Sequence, residues 1–445
     1  MSKAHGRSLT SHAAGDHKGA ASCEAHVARQ LGAPSTMFHE EVCTANNKLD
    51  LPLWDLLDDK VQLNGLLDAD RLGKTWAPRG FAMPHQLPQL VAAAAAEPSS
   101  WWMVKEGKAH GGRGNRLLQS VDAAELSAKR ECVVQRYVAD PYLLDRLKFT
   151  LRIYVVVLSV SPLTAFICRQ GLMLFAVEEY EGPHESGEMG GARSRAASRP
   201  HQHITNQTYN SNHPEYELPP DGHLKRPGDR ASSSGDTQED RGVAEGGHTR
   251  SLDALRDHLT AACEGPGAGK SSRVAYQQVW ASIKWVCAAP IRAMMKDEHW
   301  WKWGRTEHWA AHARMRIPKV LGIDVLLDSS LRPWVLEVNR TPALGCRLEL
   351  DGAVKRTLMR DAWSLAVALK KEGDVPESSL LQADFGCLEP LIGHHNLADK
   401  TATADRRKGC CELTRAIQDG LGSKAGLVIT TMYLCGLSSN PPSPT

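Results

Sequence analysis

The stretch Leu321-Gly322-Ile323-Asp324-Val325-Leu326-Leu327-Asp328-Ser329-Ser330-Leu331-Arg332-Pro333-Trp334-Val335-Leu336-Glu337-Val338-Asn339 reads as two strands joined by a turn. Val320–Leu327 and Pro333–Asn339 are apolar runs of strand length, and the short polar segment Asp328–Arg332 between them is a hairpin signal. Residues i and i+2 of a strand share a face, so Glu337 and Asn339 point the same way. Antiparallel pairing across so short a turn can bring Asp324 beside them. Two carboxylates and an amide oxygen are hard ligands that suit Mg²⁺, which usually takes one or two carboxylates plus substrate phosphates. The same residues would also suit the exposed face of an ordinary hairpin. Their apolar neighbours argue otherwise, because a buried carboxylate without a partner is costly and calls for a cation.

Upstream, strands alternate with a glycine loop and a helical stretch. Trp101–Lys105, Val133–Val138, Phe149–Ser159 and Phe166–Phe175 have strand composition, Asp122–Arg130 reads as a helix, and His110-Gly111-Gly112-Arg113-Gly114 is a loop. This alternation indicates an α/β or α+β domain. Lys105 ends an apolar strand just before the loop, where an ammonium and the backbone N–H groups around Gly112, Arg113 and Gly114 can meet phosphate. Glycine patterns are common in loops, so this signal is weak by itself. Lys148, Thr150 and Arg152 alternate along one strand face: either a solvated basic face, or two cations aimed together to hold phosphate and developing charge. Further helices are expected at Asp50–Leu72, at Gln86–Ala96 up to Pro98, at Val274–Met295 with an interruption at Pro290, and at Arg360–Lys371.

The remainder bounds the answer. The 445 residues suffice for a large core, and Lys+Arg 53 against Asp+Glu 51 gives a net charge of +2, which does not mark a whole-chain nucleic-acid binder. No apolar run approaches the ~20 residues of a membrane span. Met1–Cys23 lacks the apolar region of a secretory signal, so a cytoplasmic chain is expected. The eleven cysteines include no Cys-x-x-Cys pair, and Cys168 and Cys287, set in apolar segments, read as small buried hydrophobes. Residues 1–49 read as a variable extension, about 181–273 as a disordered low-complexity insertion, and 373–445 as a weakly structured tail, around a catalytic unit at 50–372. One island in the insertion, His203–Asn210, has the composition of a piece of site. Glu264–Ser271 is similar to a P-loop but has Glu at the first glycine, and His308/His312 have metal spacing without the metalloprotease Glu.

Taken together, Trp102–Arg116, VVQRYVADPYLLDRLKFTLRIYVVV (Val133–Val157), Pro162–Ala176, His203–Asn206 and GIDVLLDSSLRPWVLEVNRTPAL (Gly322–Leu344) resemble the tubulin–tyrosine ligase-like family, in the family's order. The resemblance implies an α+β ATP-grasp fold with mixed or antiparallel sheets and flanking helices. It implies that Lys105 contacts nucleotide phosphates. Gln135, Arg136, Tyr137 and Val138 would hold the adenine, and His203, Thr205 and Asn206 would close over the nucleotide. Lys148 and Arg152 form the cationic pair, and Asp324, Glu337 and Asn339 hold magnesium. The implied reaction, with ATP and Mg²⁺, joins an amino acid to a carboxylate of a tubulin tail through an acylphosphate. Glutamate is the first choice on the family's base rate, with glycylation, tyrosination or a catalytically weakened microtubule-binding relative as alternatives; in the last, Trp300–Arg305 could grip acidic tails. The expected partners are tubulin or microtubules and the free amino acid, without nucleic acid or membrane. The chain would act as a monomer in the cytoplasm and cytoskeleton, including cilium, flagellum and basal body. Four positions depart from the family pattern: Glu106 for Pro, Thr150 for Asp, Leu174 for Arg and Lys319 for Glu.

Overall fold

Two antiparallel sheets face one cleft in the computed structural model, which describes residues 54–70, 73–109, 111–112, 114–119, 121, 126, 131–160, 163–183, 199–219, 247–261, 271–297, 318–344, 348–371 and 385–392. The first sheet contains β1 (Gly80–Met83), β2 (Trp102–Glu106), β3 (Arg116–Leu118) and β4 (Cys132–Arg136), in the order β1-β4-β2-β3. The second contains β6 (Leu147–Val160), β7 (Leu163–Phe175), β9 (Lys319–Leu327), β10 (Pro333–Asn339) and β11 (Leu388–Ile392), in the order β10-β9-β6-β7-β11, with β5 (Leu143–Leu144) on β6 and β8 (Thr249–Ser251) on β7. Every strand pairing among the described residues is antiparallel. The helices are α1 (Asp55–Asp58), α2 (Lys60–Ala69), α3 (Gly73–Trp76), α4 (Leu87–Ala96), α5 (Gln207–Asn210), α6 (Leu252–Ala261), α7 (Ser271–Lys296) and α8 (Glu349–Lys371). The mixture of helices and antiparallel sheets is α+β, one of the two classes that the alternating pattern indicates and the one that the resemblance implies.

Strand β6 organises the molecule because its two faces do different work. Phe149, Leu151, Ile153, Val155 and Val157 alternate onto one face and pack with residues of α2, α6 and α7. On the other face Tyr154, Val156 and Leu158 pack under α8, while Lys148, Thr150 and Arg152, earlier on that face, turn to the cleft. Each fully buried aliphatic side chain of this kind contributes about 1.5–3 kcal/mol. The first sheet buries Phe81, Trp102, Val104 and Val134 against Leu90 and Ala93 of α4.

Several elements differ from the sequence expectation. Residues 247–261, expected as part of the disordered insertion, form β8 and α6; β8 pairs with Leu172–Leu174, and Leu255 is fully buried in the core. Their short apolar pattern is masked by the polar stretches on either side. Helix α7 runs through Pro290 without the expected break. Val286, Cys287, Ile291 and Met294 are all fully buried around it, and that packing offsets a helix penalty of about 3 kcal/mol for a proline. Helix α8 starts eleven residues before Arg360, at Glu349, and β11, in the stretch expected as tail, adds an edge strand to β7. Cys132, Cys168, Cys287 and Cys387 are free and buried, in keeping with the reading of Cys168 and Cys287. The expected helix at 122–130 lies almost wholly outside the described residues. Residues 1–49, Trp300–Arg305, His308, His312 and most of Glu264–Ser271 lie outside them as well. No helix among the described residues is long and apolar enough to cross a membrane.

Candidate functional site

The cleft is lined from both sheets, the hairpin and the segment after the 3-10 turn Pro200–Gln202. Lys105, Gly112, Gln135, Arg136, Tyr137, Val138, Lys148, Arg152, His203, Thr205, Asn206, Asp324 and Glu337 all line it. Asn339 stands one step behind, donating to the Glu337 carboxylate at 3.4 Å and to the Gly322 carbonyl at 3.4 Å. Gly114 does not line the cleft; its turn is closed by a left-handed φ of 74° with the Glu106 side chain against it. Arg113 lies outside the described residues.

The hairpin forms as expected, with one addition. Glu337 pairs directly with Asp324, and a bulge separates Val335 from Glu337. Val335 and Val338 are both in the core, three residues apart, because the extra residue of the bulge rotates the strand. Glu337 and Asn339 therefore share a face that Val335 does not. Asp324 is held by Arg152 from the neighbouring strand through Nε and, at 3.0 Å, through Nη2. Glu337 faces the ammonium of Lys60 at 3.8 Å. Burial raises carboxyl pKa values, but Lys60, the bond to Asp324, Lys105 and Arg152 outweigh it and hold Glu337 below the usual range. Burial pushes Asp324 up to about 6, against the pull of Arg152. Two adjoining carboxylates with an amide beside them, open on the cleft side, are donors that Mg²⁺ takes when phosphate oxygens and water complete its shell. No all-protein cage of three or more His, Cys, Asp or Glu is assembled among the described residues.

Two lysines bring cationic charge to the same cleft. The Lys105 ammonium donates to Gln135 Oε1 at 2.8 Å and to the Leu336 carbonyl at 3.2 Å, so this side chain bridges the first sheet and the hairpin. Lys148 donates to the Tyr137 hydroxyl at 2.8 Å, and that hydroxyl shares a 3.0 Å hydrogen bond with His203 Nδ1. Burial lowers Lys148 to about 7, with the charge of Lys105 adding to it. Burial also lowers Lys105, to about 8, while Glu337 opposes the shift. An incoming polyanion would favour the charged form of both amines.

The island at His203 is a structured cover. Asn206 caps α5 by accepting from the Tyr209 N–H at 3.2 Å. Thr205 Oγ1 meets Thr150 Oγ1 at 2.8 Å. Gly112 adopts φ of 73° directly beneath Asn206, Ile204 and Tyr209, a conformation that side chains rarely adopt. Leu174, the cross-strand partner of Thr150, is buried on the cleft wall. Arg169, earlier on the same strand as Leu174, donates from its guanidinium to the Gly386 carbonyl. Sequence reading also missed Lys60, which stands behind the cleft and faces Glu337. It sits in a Leu- and Asp-rich helical stretch, and nothing local signals that this lysine is buried.

A model of the Tubulin-tyrosine ligase family matches residues 37–246 and 307–375. The "Probable beta-tubulin polyglutamylase" of Tetrahymena thermophila is 29% identical over 265 residues, covering 59% of this chain and 19% of that protein. The human "Tubulin monoglutamylase TTLL4" is 26% identical over 359 residues, 78% of this chain and 26% of the relative. The Caenorhabditis elegans "Tubulin polyglutamylase ttll-5" is 27% identical over 322 residues, 68% and 37%. The chain thus spans between 19% and 37% of the length of these three relatives. With two family-matched segments that carry the strands and the hairpin of the cleft, this chain belongs to the tubulin-tyrosine ligase family.

Proposed function

We propose that this chain is an ATP- and Mg²⁺-dependent ligase of ATP-grasp fold that joins glutamate to carboxylates of tubulin tails. One observation carries the reading. Two buried lysines, a left-handed glycine turn and an adjoining carboxylate pair converge on a single cleft. The glutamylase names of the relatives support the choice of glutamate and of tubulin. The catalytic unit would occupy residues 50–372 with β11 as an added edge strand, acting in the cytoplasm at the cytoskeleton.

In this reaction a carboxylate oxygen of the tail attacks the γ-phosphorus of ATP. The bond to the bridging oxygen breaks, ADP leaves, and an acylphosphate remains. The amine nitrogen of the amino acid then attacks the acyl carbon, phosphate departs, and the nitrogen gives up a proton. Bound Mg²⁺ supplies neutralising charge on the phosphate oxygens. The chain's own residues position the reactants and balance charge. Lys105 and Lys148 grip the phosphates, and Gly112 lets backbone approach them. Gln135–Val138 offers its edge to the base, and His203, Thr205 and Asn206 cover it. Asp324, Glu337 and Asn339 hold the cation, with Arg152 fixing the Asp324 rotamer. No side-chain nucleophile is needed.

The test is Glu337→Gln in the purified chain, with glutamate incorporation into tubulin read by mass spectrometry. A fall of at least about a hundredfold is expected for loss of a charge-holding group at the reacting centre. Unchanged incorporation overturns the assignment of the carboxylate pair. Incorporation of glycine or tyrosine in place of glutamate would change the amino acid and keep the ligase.

A second reading, a nucleotide-binding relative without ligation, is favoured by the Thr150–Thr205 hydroxyl pair and Leu174, which put neutral side chains where the family pattern has Asp and Arg. A stabilising thermal shift with Mg·ATP but no incorporation of any amino acid would select it.

A further inference from the structure

Lys60 belongs to neither sheet, yet it touches both the hairpin at Glu337 and the loop that leads into the glycine turn. It opens helix α2, and its ammonium is buried, with the side chain 9% exposed. The ammonium donates to the Ala109 carbonyl at 2.6 Å and stands 3.8 Å from Glu337 Oε2. The backbone N–H of the same residue donates to the Gly107 carbonyl at 3.2 Å. One residue therefore hooks the loop that leads into the glycine turn at two points and reaches the hairpin at a third. The fit is tight: a Cβ on Gly107 would lie 2.8 Å from the Glu131 carbonyl and 3.4 Å from Asp59 and Val61. The other carboxylate oxygen of Glu337 accepts from Asn339 at 3.4 Å, so Lys60 and Asn339 hold Glu337 from opposite sides.

We infer that Lys60 is a positioning residue for the nucleotide site, fixing the loop at 107–109 and the Glu337 carboxylate as one unit before the nucleotide arrives. A side chain that only anchored α2 would need neither the contact to the loop nor the one to Glu337. The ammonium makes both, and its burial excludes the water that would otherwise solvate Glu337 on that side. This role rests on the proposed nucleotide-binding reading of the cleft. Lys60 touches no reacting atom; it acts through Glu337 and the loop backbone.

The experiment is calorimetric titration of Mg·ATP into the full chain, as wild type, Lys60→Met, Glu337→Gln and the double variant, with thermal melting of each. Lys60→Met keeps the aliphatic stem, and it should weaken binding about tenfold for loss of a charged hydrogen bond. Because Lys60 acts in part through Glu337, the double variant should lose clearly less than the product of the two single losses. Lys60→Arg, which keeps charge and donors, should stay within about threefold of wild type. Wild-type affinity in Lys60→Met overturns the inference, as does a double variant showing the full product of the two losses. If Lys60→Met does not fold, Lys60→Arg decides: a loss of tenfold or more overturns the inference, and near-wild-type binding supports it. Failure of the wild type to bind Mg·ATP would instead defeat the nucleotide reading itself, and the role of Lys60 with it.

Discussion

Arg152 and Asp324 are direct cross-strand partners on β6 and β9, and the guanidinium grips the carboxylate with two nitrogens. Both side chains are mostly buried, at 15% and 12% exposure. The pairing makes one cation of the cleft a support for a carboxylate of the cleft, and leaves the two lysines to meet an incoming anion.

Breaking that pair from one side should cost more than removing it. Arg152→Met leaves a buried, unpaired carboxylate and should destabilise the fold by about 3 kcal/mol, measured by urea unfolding. Asp324→Asn should be costly for the mirrored reason. The double variant should cost clearly less than the sum, as expected for residues that share one interaction. Strict additivity would show that the pair is not coupled in solution.

The two buried lysines predict a pH dependence. Burial, and then the charge of Lys105, brings Lys148 to about 7, well below the ~10.4 of a free lysine. Between these values the unfolded chain binds more protons at this group than the folded chain, so its contribution to stability rises with pH across that window. Phosphate binding needs the protonated amine and should run the other way. Mg·ATP should bind about tenfold more weakly at pH 8.5 than at pH 7, and Lys148→Arg should flatten the profile. A profile of equal slope in Lys148→Arg would remove Lys148 as its source.

Gly112→Ala should disturb the cover as well as the loop. The new Cβ would sit at a left-handed φ of 73°, 3.3 Å from Asn206 and 3.4 Å from Ile204 and Tyr209. The backbone penalty alone is about 1–2 kcal/mol. Weaker nucleotide binding with increased hydrogen exchange at 204–209 is expected. Unchanged exchange there would uncouple the turn from the cover.

Leu255→Ala tests whether residues 247–261 are part of the folded unit. Leu255 is fully buried in the same core as β6, so its truncation should cost about 2–5 kcal/mol in denaturant unfolding. A cost below 0.5 kcal/mol, the size usual for a surface change, would return this stretch to the insertion.

Much of the cleft could be read before any coordinates, because local rules place its parts. Alternation along β6 puts Lys148 and Arg152 on one face, the short polar turn makes the hairpin, and the polar island at His203 stands out against its surroundings. Other features had no local signal. The bulge between Val335 and Glu337 shifts which residues enter the core, and no spacing in the strand predicts it. Leu255 and Leu259 are too few apolar residues to stand out between polar segments, and they find their core only when α6 packs with β6 and α7.

The sequence by itself determined the alternation of strands with helices, the strand faces and the chemical types gathered at the site, since these follow from periodicity and from residue chemistry. The tertiary structure alone decided the partners. Arg152 meets Asp324 across 172 positions, and Lys105 reaches the Leu336 carbonyl across 231. Lys60 enters from an otherwise unremarkable helix to face Glu337. Such pairings depend on which strands become neighbours and on how helices seal their ends. Burial then converts these charges from solvated side chains into coupled ones, which no local pattern in the chain encodes.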